Sequence, residues 1–232
     1  MEIKTFVCNP FGENTMIINK ENSSDAVIAD PGCMEGPEQE IIFKHIESAH
    51  LNPVAILLTH AHPDHIAGAG AIQKRYGIPI FMGEGEEHTL VSNKGPRRLF
   101  PADTQAFEYT LVEDGQVLHL AGFDFEVIST PGHTPGGICY LEREEKVLLS
   151  GDTLFADTIG RTDLEGGDYD ALIKSVMDKL MGLDGDIEIY PGHGKSSTIA
   201  RERTNNPFLQ PFNEPEEEVD YKDLNPISIT SH

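Results

Sequence analysis

Cysteine is scarce in this chain of 232 residues, which contains only Cys8, Cys33 and Cys139. Their number is odd, and no two of them have the C-x-x-C spacing. This pattern argues against a disulfide framework and against a cysteine-rich zinc site. Cys8 and Cys139 lie in predicted strands, so we expect them to belong to the core.

Basic residues are also few: 17 lysines and arginines stand against 39 acidic residues, which gives a formal net charge of -22. A field this negative opposes binding to nucleic acid and to anionic membrane surfaces. The acidic residues are densest in residues 213–232, where no hydrophobic period is visible. We expect this stretch to be a loosely held tail and residues 1–212 to form one domain, because no linker divides them.

Long apolar runs are absent as well. No run reaches the ~18 residues of a membrane span. Residues 1–7 contain no basic stretch followed by an apolar one, so no signal peptide is expected. The sequence therefore predicts a cytoplasmic protein without a membrane partner.

Short apolar segments bounded by turns make up most of residues 1–212. Three strands come first, followed by a helix over 38–49, a fully apolar strand over 54–58 and a helix over 66–76. Four further strands follow between 117 and 149. A helix then begins after the N-cap Asp168, and a strand and a helix end the domain. This order predicts an α/β (α+β) fold in which two mixed sheets pack face to face with helices outside.

The segment that follows the strand over 54–58 concentrates chemistry. It contains His60, His62, Asp64 and His65 within six residues. Three of the 10 histidines of the whole chain thus fall in this one short segment. Imidazole nitrogens and carboxylate oxygens are good metal ligands. Side chains alternate in extended backbone, so His60 and His62 point the same way, and Asp64 and His65 lie past Pro63. The spacing offers two pairs of ligands, which suits two adjacent metals.

Three more candidate ligands repeat one arrangement, a polar side chain just beyond a predicted strand. They are His133 in Thr-Pro-Gly-His-Thr, Asp152 in Ser-Gly-Asp-Thr and His193 in Pro-Gly-His-Gly. The glycine before each one permits a tight turn and a close backbone approach. Because ligands of α/β proteins gather at the ends of strands, we expect these residues to join the first cluster.

With these motifs in their order, the chain resembles the metallo-β-lactamase superfamily, and within it the short bacterial glyoxalase II-like hydrolases. The resemblance runs from residue 1 to about 212, and it includes Gly151–Phe155 and Gly160–Leu164. It implies a four-layer αβ/βα sandwich with the site at the edge of the sheets. It also implies two metal ions, with zinc favoured and iron or manganese as alternatives.

The resemblance assigns each ligand by position. His60, His62 and His133 would hold the first metal. Asp64, His65 and His193 would hold the second, and Asp152 would bridge the two. A hydroxide held between the metals would be the nucleophile, with Asp152 and Asp64 as the catalytic carboxylates.

The resemblance favours a thioesterase of the hydroxyacylglutathione hydrolase type. A thiolate has a pKa of about 8.5 and leaves without prior protonation, whereas an amide nitrogen needs a proton donor that the sequence does not offer. The expected partner is a small thioester, glutathione-linked in one interpretation. Four basic residues are candidates for binding its anionic tail: Arg161, Lys94, Arg97 and Arg98.

Two alternatives stay open at this point. A mononuclear-iron persulfide dioxygenase would share His60, His62, His133 and Asp152 and a Gly-Arg-Thr-Asp stretch, although Gly151–Phe155 is more typical of the hydrolases. A metal-binding module without catalysis is the other, and the complete set of ligand positions argues against it. The chain also ends too soon for the C-terminal helical domain of long glyoxalase II enzymes, so the acyl group and the thiol carrier stay open, as does the oligomeric state.

Overall fold

The computed structural model describes residues 1–92, 100 and 107–210. The predicted tail over 213–232, the domain boundary near 212 and the basic residues Lys94, Arg97 and Arg98 lie outside the described residues. Among the helices of the described part, none is long and apolar enough to cross a membrane.

The first sheet has six strands in sequential order. They are β1 (Glu2–Cys8), β2 (Glu13–Asn19), β3 (Asp25–Ala29), β4 (Asn52–Leu57), β5 (Ile80–Gly83) and β6 (Thr110–Val112). The first three form an antiparallel meander, and β3 to β6 are parallel.

The second sheet also has six strands, in the order β14-β13-β10-β9-β8-β7. They are β7 (Val117–Leu120), β8 (Phe123–Ser129), β9 (Ile138–Glu142), β10 (Val147–Gly151), β13 (Glu188–Pro191) and β14 (Ser197–Thr198). Strands β7 to β10 are antiparallel, whereas β10 and β13 are parallel. A small hairpin of β11 (Leu154–Phe155) and β12 (Thr158–Ile159) follows β10.

Six helices flank the sheets in the part of the chain that the structure describes. They are α1 (Pro37–Ser48), α2 (Pro63–Ile66), α3 (Ala69–Tyr76), α4 (Glu86–Ser92), α5 (Tyr169–Ser175) and α6 (Ile199–Asn205). A π-helical turn over Val176–Leu180 continues α5. Asp168 accepts a hydrogen bond from the backbone nitrogen of Ala171, which confirms it as the N-cap of α5.

Consecutive side chains of the central strands pack into different cores, and this explains their continuous apolar runs. Ile17, for example, packs against helices on the outer face of the first sheet, whereas Ile18 packs between the sheets. In the second sheet Tyr140 packs between the sheets, and Leu141 packs against α5 and α6. Three cores between four layers confirm the predicted αβ/βα sandwich.

The helix expected over 66–76 is divided in the structure, and its start was placed too late. Helix α2 begins at Pro63, because proline fits the first turn, where no backbone donor is needed. The chain then changes direction at Gly68, where an added Cβ would lie 2.3 Å from the sulfur of Cys33. Asp64 and His65 therefore sit in a short helix of their own, directly above the strand ends.

Tyr140 fastens one sheet to the other. Its side chain is fully buried, and its hydroxyl donates to the carbonyl oxygens of Leu58 (3.1 Å) and Phe81 (3.2 Å), which belong to the chain around β4 and β5. Both acceptors belong to the first sheet, so this phenol ties β9 to the segment that leads into the histidine cluster.

Replacing Tyr140 by phenylalanine should lower the free energy of unfolding of the metal-free protein by about 1–2 kcal/mol, because the buried carbonyl of Leu58 loses the phenol as a donor. The carbonyl of Phe81 keeps the backbone nitrogen of Leu58 as a donor at 2.9 Å. Urea denaturation measures this change. Tyr169→Phe is the control, since Tyr169 is 47% exposed and its substitution should leave stability unchanged. Equal stabilities of the two variants would show that the phenol does not tie the sheets together.

Candidate metal centre

All seven predicted ligands meet at one edge of the sandwich, beyond the C-terminal ends of strands. His60, His62, Asp64 and His65 follow β4 in the first sheet. The second sheet supplies the other three: His133 follows β8, Asp152 follows β10 and His193 follows β13. The site is therefore completed only when the two sheets pack together.

The first of two ligand sets consists of His60, His62 and His133. Their ring centroids lie 4.7–4.9 Å from one another. The Nδ1 atom of His62 lies 2.9 Å from the Nε2 atom of His133. This triangle places three imidazole nitrogens within reach of a single ion.

The second set consists of Asp64, His65 and His193. The Nε2 atoms of the two histidines are 3.3 Å apart, and Asp64 Oδ2 lies 3.4 Å from His193 Nε2. One ion could be held here as well.

Asp152 lies between the two sets. Its Oδ1 atom is 3.4 Å from His65 Nε2, and its Oδ2 atom is 3.5 Å from His133 Nε2. The Oδ2 atom is also 3.6 Å from His193 Nε2, so the carboxylate contacts members of both sets, as a bridging ligand requires.

Close backbone approaches bring Asp152 this far in. Gly151 has a φ of 49°, and a Cβ there would lie 2.1 Å from Thr59 Oγ1. A Cβ at Gly192 would lie 2.4 Å from Asp152 Oδ1. Only glycine permits both approaches, which explains the glycine beside each of these ligands.

Four of the five histidines are oriented by a hydrogen bond at Nδ1. His133 donates to the carbonyl oxygen of Arg161 (2.7 Å), and His193 donates to that of Phe11 (3.1 Å). His65 lies 3.2 Å from Asp30 Oδ2, and His60 lies 3.1 Å from Thr59 Oγ1. These partners select the tautomer with a bare Nε2 facing the centre, as metal-binding histidines require.

Asp30 is a functional residue that the sequence analysis missed. Besides its contact with His65, it accepts hydrogen bonds from the backbone nitrogen (2.7 Å) and the hydroxyl (2.6 Å) of Thr59. These contacts orient His65 through its Nδ1 atom, and Asp30, His60 and His65 also lie close enough to form a third group that could hold an ion. A signal was present, since Asp30 follows β3 directly, just as the other acids and histidines follow their strands.

Burial and neighbouring charges give the histidines of the first set a lowered pKa and His65 of the second set a raised one. Burial, reinforced by nearby imidazoles, lowers the pKa of His60 and brings that of His62 to about 3; burial also lowers the pKa of His133. Burial would lower the pKa of His65 too, but the carboxylates of Asp152, Asp30 and Asp64 outweigh it and raise this pKa to about 10. The first set therefore offers neutral imidazoles, and the second favours added positive charge, which a metal cation supplies.

Two buried atoms at the centre fit metal ions. Among the described residues, neither His60 Nε2 nor Asp152 Oδ1 has a hydrogen-bond partner. Leaving such groups unpaired in the interior costs about 1–3 kcal/mol each. Both are ligand atoms of the kind that zinc, iron and manganese accept.

The comparisons with known proteins decide the family. The model of the metallo-beta-lactamase superfamily matches residues 8–193. The chain belongs to this superfamily.

Three relatives of this superfamily member each cover about nine tenths of the chain. Hydroxyacylglutathione hydrolase GloC of Haemophilus influenzae is 38% identical over 214 residues, which is 90% of this chain and 98% of that protein. The crystal structure of BLEG-1 B3 metallo-beta-lactamase is 35% identical with a TM-score of 0.80, and it covers 90% of this chain and 99% of that one. TTHA1623, solved in a di-iron-bound form, is 30% identical with a TM-score of 0.77 and coverages of 89% and 100%.

A cavity of about 910 Å³ opens above the ligand sets. His62, Asp64, His133, Asp152 and His193 line its floor. An apolar wall is formed by Phe11, Phe100, Phe155 and Leu164, with the rings of Phe11 and Phe100 stacked at 5.8 Å. A substrate held against this wall would present a reacting group to the floor.

Two cations also line the cavity, Arg161 and Lys195. The guanidinium of Arg161 is paired with both oxygens of Asp163 at 2.7 Å, and the two side chains are exposed. This ion pair therefore lies at the surface. The part of Arg161 that supports the site is its carbonyl oxygen, which accepts from His133. Lys195 was not singled out from the sequence and has no ion pair with another described residue.

Asn14, also missed from the sequence, fastens the loop that carries His193. Its side-chain nitrogen donates to the carbonyl oxygens of Pro191 (3.0 Å) and Gly194 (2.9 Å), and its backbone nitrogen donates to Gly192 (2.8 Å). Asparagine within an apolar strand gives no sequence signal of such a role.

Asn14→Ala should lower the affinity for one of the two metal ions about 10-fold, because losing a residue that supports a metal ligand typically costs at least that much in metal affinity. Competition with a chromophoric chelator measures it. Asn19→Ala is the matched control, since Asn19 ends the same strand and donates instead to Glu2 and Lys20. Unchanged metal affinity in Asn14→Ala would contradict the proposed support of His193.

Proposed function

We propose that the protein is a metal-dependent thioester hydrolase of the hydroxyacylglutathione hydrolase type. The observation that carries the proposal is the position of Asp152, which joins two three-residue ligand sets on the floor of a large cavity. His60, His62 and His133 would hold one metal ion, and Asp64, His65 and His193 would hold the other. Asp152 would contact both.

Zinc suits these nitrogen and oxygen donors best, with iron or manganese as alternatives. Iron is relevant because TTHA1623 was solved in a di-iron-bound form. When bound, such ions supply Lewis acidity and lower the pKa of water toward neutrality. The chain's own residues orient the ligands, shape the cavity and hold protons.

Asp64 and Asp152 are the proposed catalytic carboxylates. Both line the cavity floor and are mostly buried, so a carboxylate oxygen there can hold a proton released in the cavity. Burial raises the pKa of Asp64, but His193 and His65 outweigh it and hold this pKa below its usual range. Asp64 is therefore ionised and is not a standing acid.

This ionisation favours thioesters over amides. A thiolate with a pKa of about 8.5 leaves as an anion, whereas an amine must be protonated as it leaves. An ionised Asp64 has no proton to give to a leaving amine. GloC, which is named as a hydroxyacylglutathione hydrolase, adds support from similarity, while the β-lactamase name of BLEG-1 makes a β-lactam the proper comparison substrate.

The metal-loaded protein should hydrolyse S-D-lactoylglutathione in preference to a chromogenic cephalosporin, and a chelator should abolish this activity. Asp152→Ala should lose at least about 100-fold in kcat/KM together with bound metal, because it removes a contact to both sets. Asp186→Ala is the control, since Asp186 is an exposed aspartate paired with Lys146. Measurements of metal content and kcat/KM test this.

Three results would contradict the proposal. One is full activity with both metals retained in Asp152→Ala. Another is oxygen uptake on glutathione persulfide by protein that holds one iron per chain. The third is inactivity of metal-replete protein against a panel of thioesters and esters.

Lys195 is suited to contact an anionic part of the substrate, because it lines the cavity two residues after His193 and is exposed. Lys195→Gln should raise KM for a glutathione thioester about 2- to 5-fold and leave kcat unchanged, as expected when an exposed ion pair worth up to about 1 kcal/mol is lost.

The control is Lys174→Gln, an exposed lysine of α5 outside the described cavity lining. A neutral thioester should show no difference between the two variants. An equal rise in KM for charged and neutral substrates with Lys195→Gln would exclude a charge contact.

A further inference from the structure

Glu86 is a buried carboxylate that neither the ligand sets nor the cavity accounts for. It is the first residue of α4, and its side chain is fully buried. A buried carboxylate is retained only where donors satisfy it. Its donors therefore indicate what it does.

The donors come from two separate loops. The Oε2 atom of Glu86 accepts a hydrogen bond from the backbone nitrogen of Ala61 at 2.7 Å. Its Oε1 atom accepts hydrogen bonds from the hydroxyl of Thr134 and from the backbone nitrogen of Gly136, the latter at 3.1 Å. One carboxyl group thus connects the chain around residue 61 with the chain around residue 134.

These two loops carry the whole first ligand set. Ala61 lies between His60 and His62, and Thr134 directly follows His133. Two of the three donors are backbone nitrogens, so the bonds fix the course of the backbone and not merely a side-chain rotamer. The distance between the His60–His62 segment and His133 therefore depends on Glu86.

A tight backbone contact delivers Glu86 to this position. A Cβ at Gly136 would lie 2.3 Å from the carbonyl oxygen of Glu84 and 2.4 Å from the nitrogen of Glu86. Gly85 has a φ of 92°, which lets the chain turn here between β5 and α4. The turn belongs to the first sheet and Gly136 leads into β9 of the second, so the contact spans the two sheets.

We propose that Glu86 is a positioning residue for the first metal ion, which it serves by fastening the two loops that carry His60, His62 and His133. The inference rests on the proposed ligand sets, but it does not depend on the substrate. Glu86 does not line the cavity described above and touches none of the three histidines by hydrogen bonding.

The test is Glu86→Gln, in which an NH₂ group replaces one acceptor oxygen and faces a backbone N–H. The first set should bind Zn²⁺ about 10- to 100-fold more weakly, as for the loss of support behind other metal ligands, while the second set keeps its affinity. Titration with Zn²⁺ against a chromophoric chelator resolves the two sites. The absorption spectrum of the Co²⁺-loaded protein reports the geometry of the weakened one.

Glu202→Gln is the matched control. Glu202 is equally buried, but its donors lie away from the histidines: the backbone nitrogen of Asp157 (2.8 Å) and the side chains of Asn206 (2.9 Å), Arg201 (2.6 Å) and Ser197. This variant should lose stability and keep two normal sites. Wild-type affinities at both sites in a folded Glu86→Gln protein would reduce Glu86 to a structural residue and overturn the proposal.

Glu86→Asp covers the case in which Glu86→Gln does not fold. Aspartate keeps both acceptor oxygens on a shorter side chain. Glu86→Asp should therefore lower the Zn²⁺ affinity of the first site less than Glu86→Gln does, and it should leave the circular dichroism spectrum unchanged. A wild-type first site in a folded Glu86→Asp protein would also overturn the proposal. Because Zn²⁺ alone is the probe, a protein that binds two ions and hydrolyses no thioester would refute the proposed function and leave this inference standing.

Discussion

Electrostatic crowding is the constraint on which the rest of this structure depends. Five imidazoles and the carboxylates of Asp30, Asp64 and Asp152 each lie within a few ångströms of neighbouring members of the cluster, and four of the eight groups are buried. Such a cluster is costly to assemble without cations to share, and the fold holds it by directed hydrogen bonds behind the ligands. The carbonyl of Arg161, the carboxylate of Asp30 and the hydroxyl of Thr59 each orient one histidine, so that the nitrogen atoms left over face a common centre.

Both sheets supply ligands, so the contacts that join the sheets also hold the two halves of the site together. Tyr140 reaches from β9 to the chain around β4 and β5, and the nitrogen of Ile138 donates to the carbonyl of Thr59 at 2.9 Å. Glu86 crosses the same gap. Loosening the packing of the sheets would separate His60 and His62 from His133 before it disturbed either sheet by itself.

The sequence was sufficient for the parts that follow from local patterns. Apolar runs and turns predicted the sandwich, and polar residues beyond strands predicted which ligands would meet, as His133, Asp152 and His193 do. The residues that the sequence did not reveal act through packing between distant segments. No pattern around Glu86 or Asn14 indicates that their side chains reach loops far away in sequence. The start of α2, by contrast, had a local signal in Pro63, because proline is common in the first turn of a helix.

The central claim is that this chain holds two metal ions in the sets His60, His62, His133 and Asp64, His65, His193, with Asp152 between them. A crystal structure of the metal-loaded protein, with anomalous scattering recorded at the absorption edge of the bound element, tests it most directly. We expect two adjacent anomalous peaks, each contacted by one set and both contacted by Asp152. A single peak, or a peak held by Asp30, His60 and His65, would contradict it.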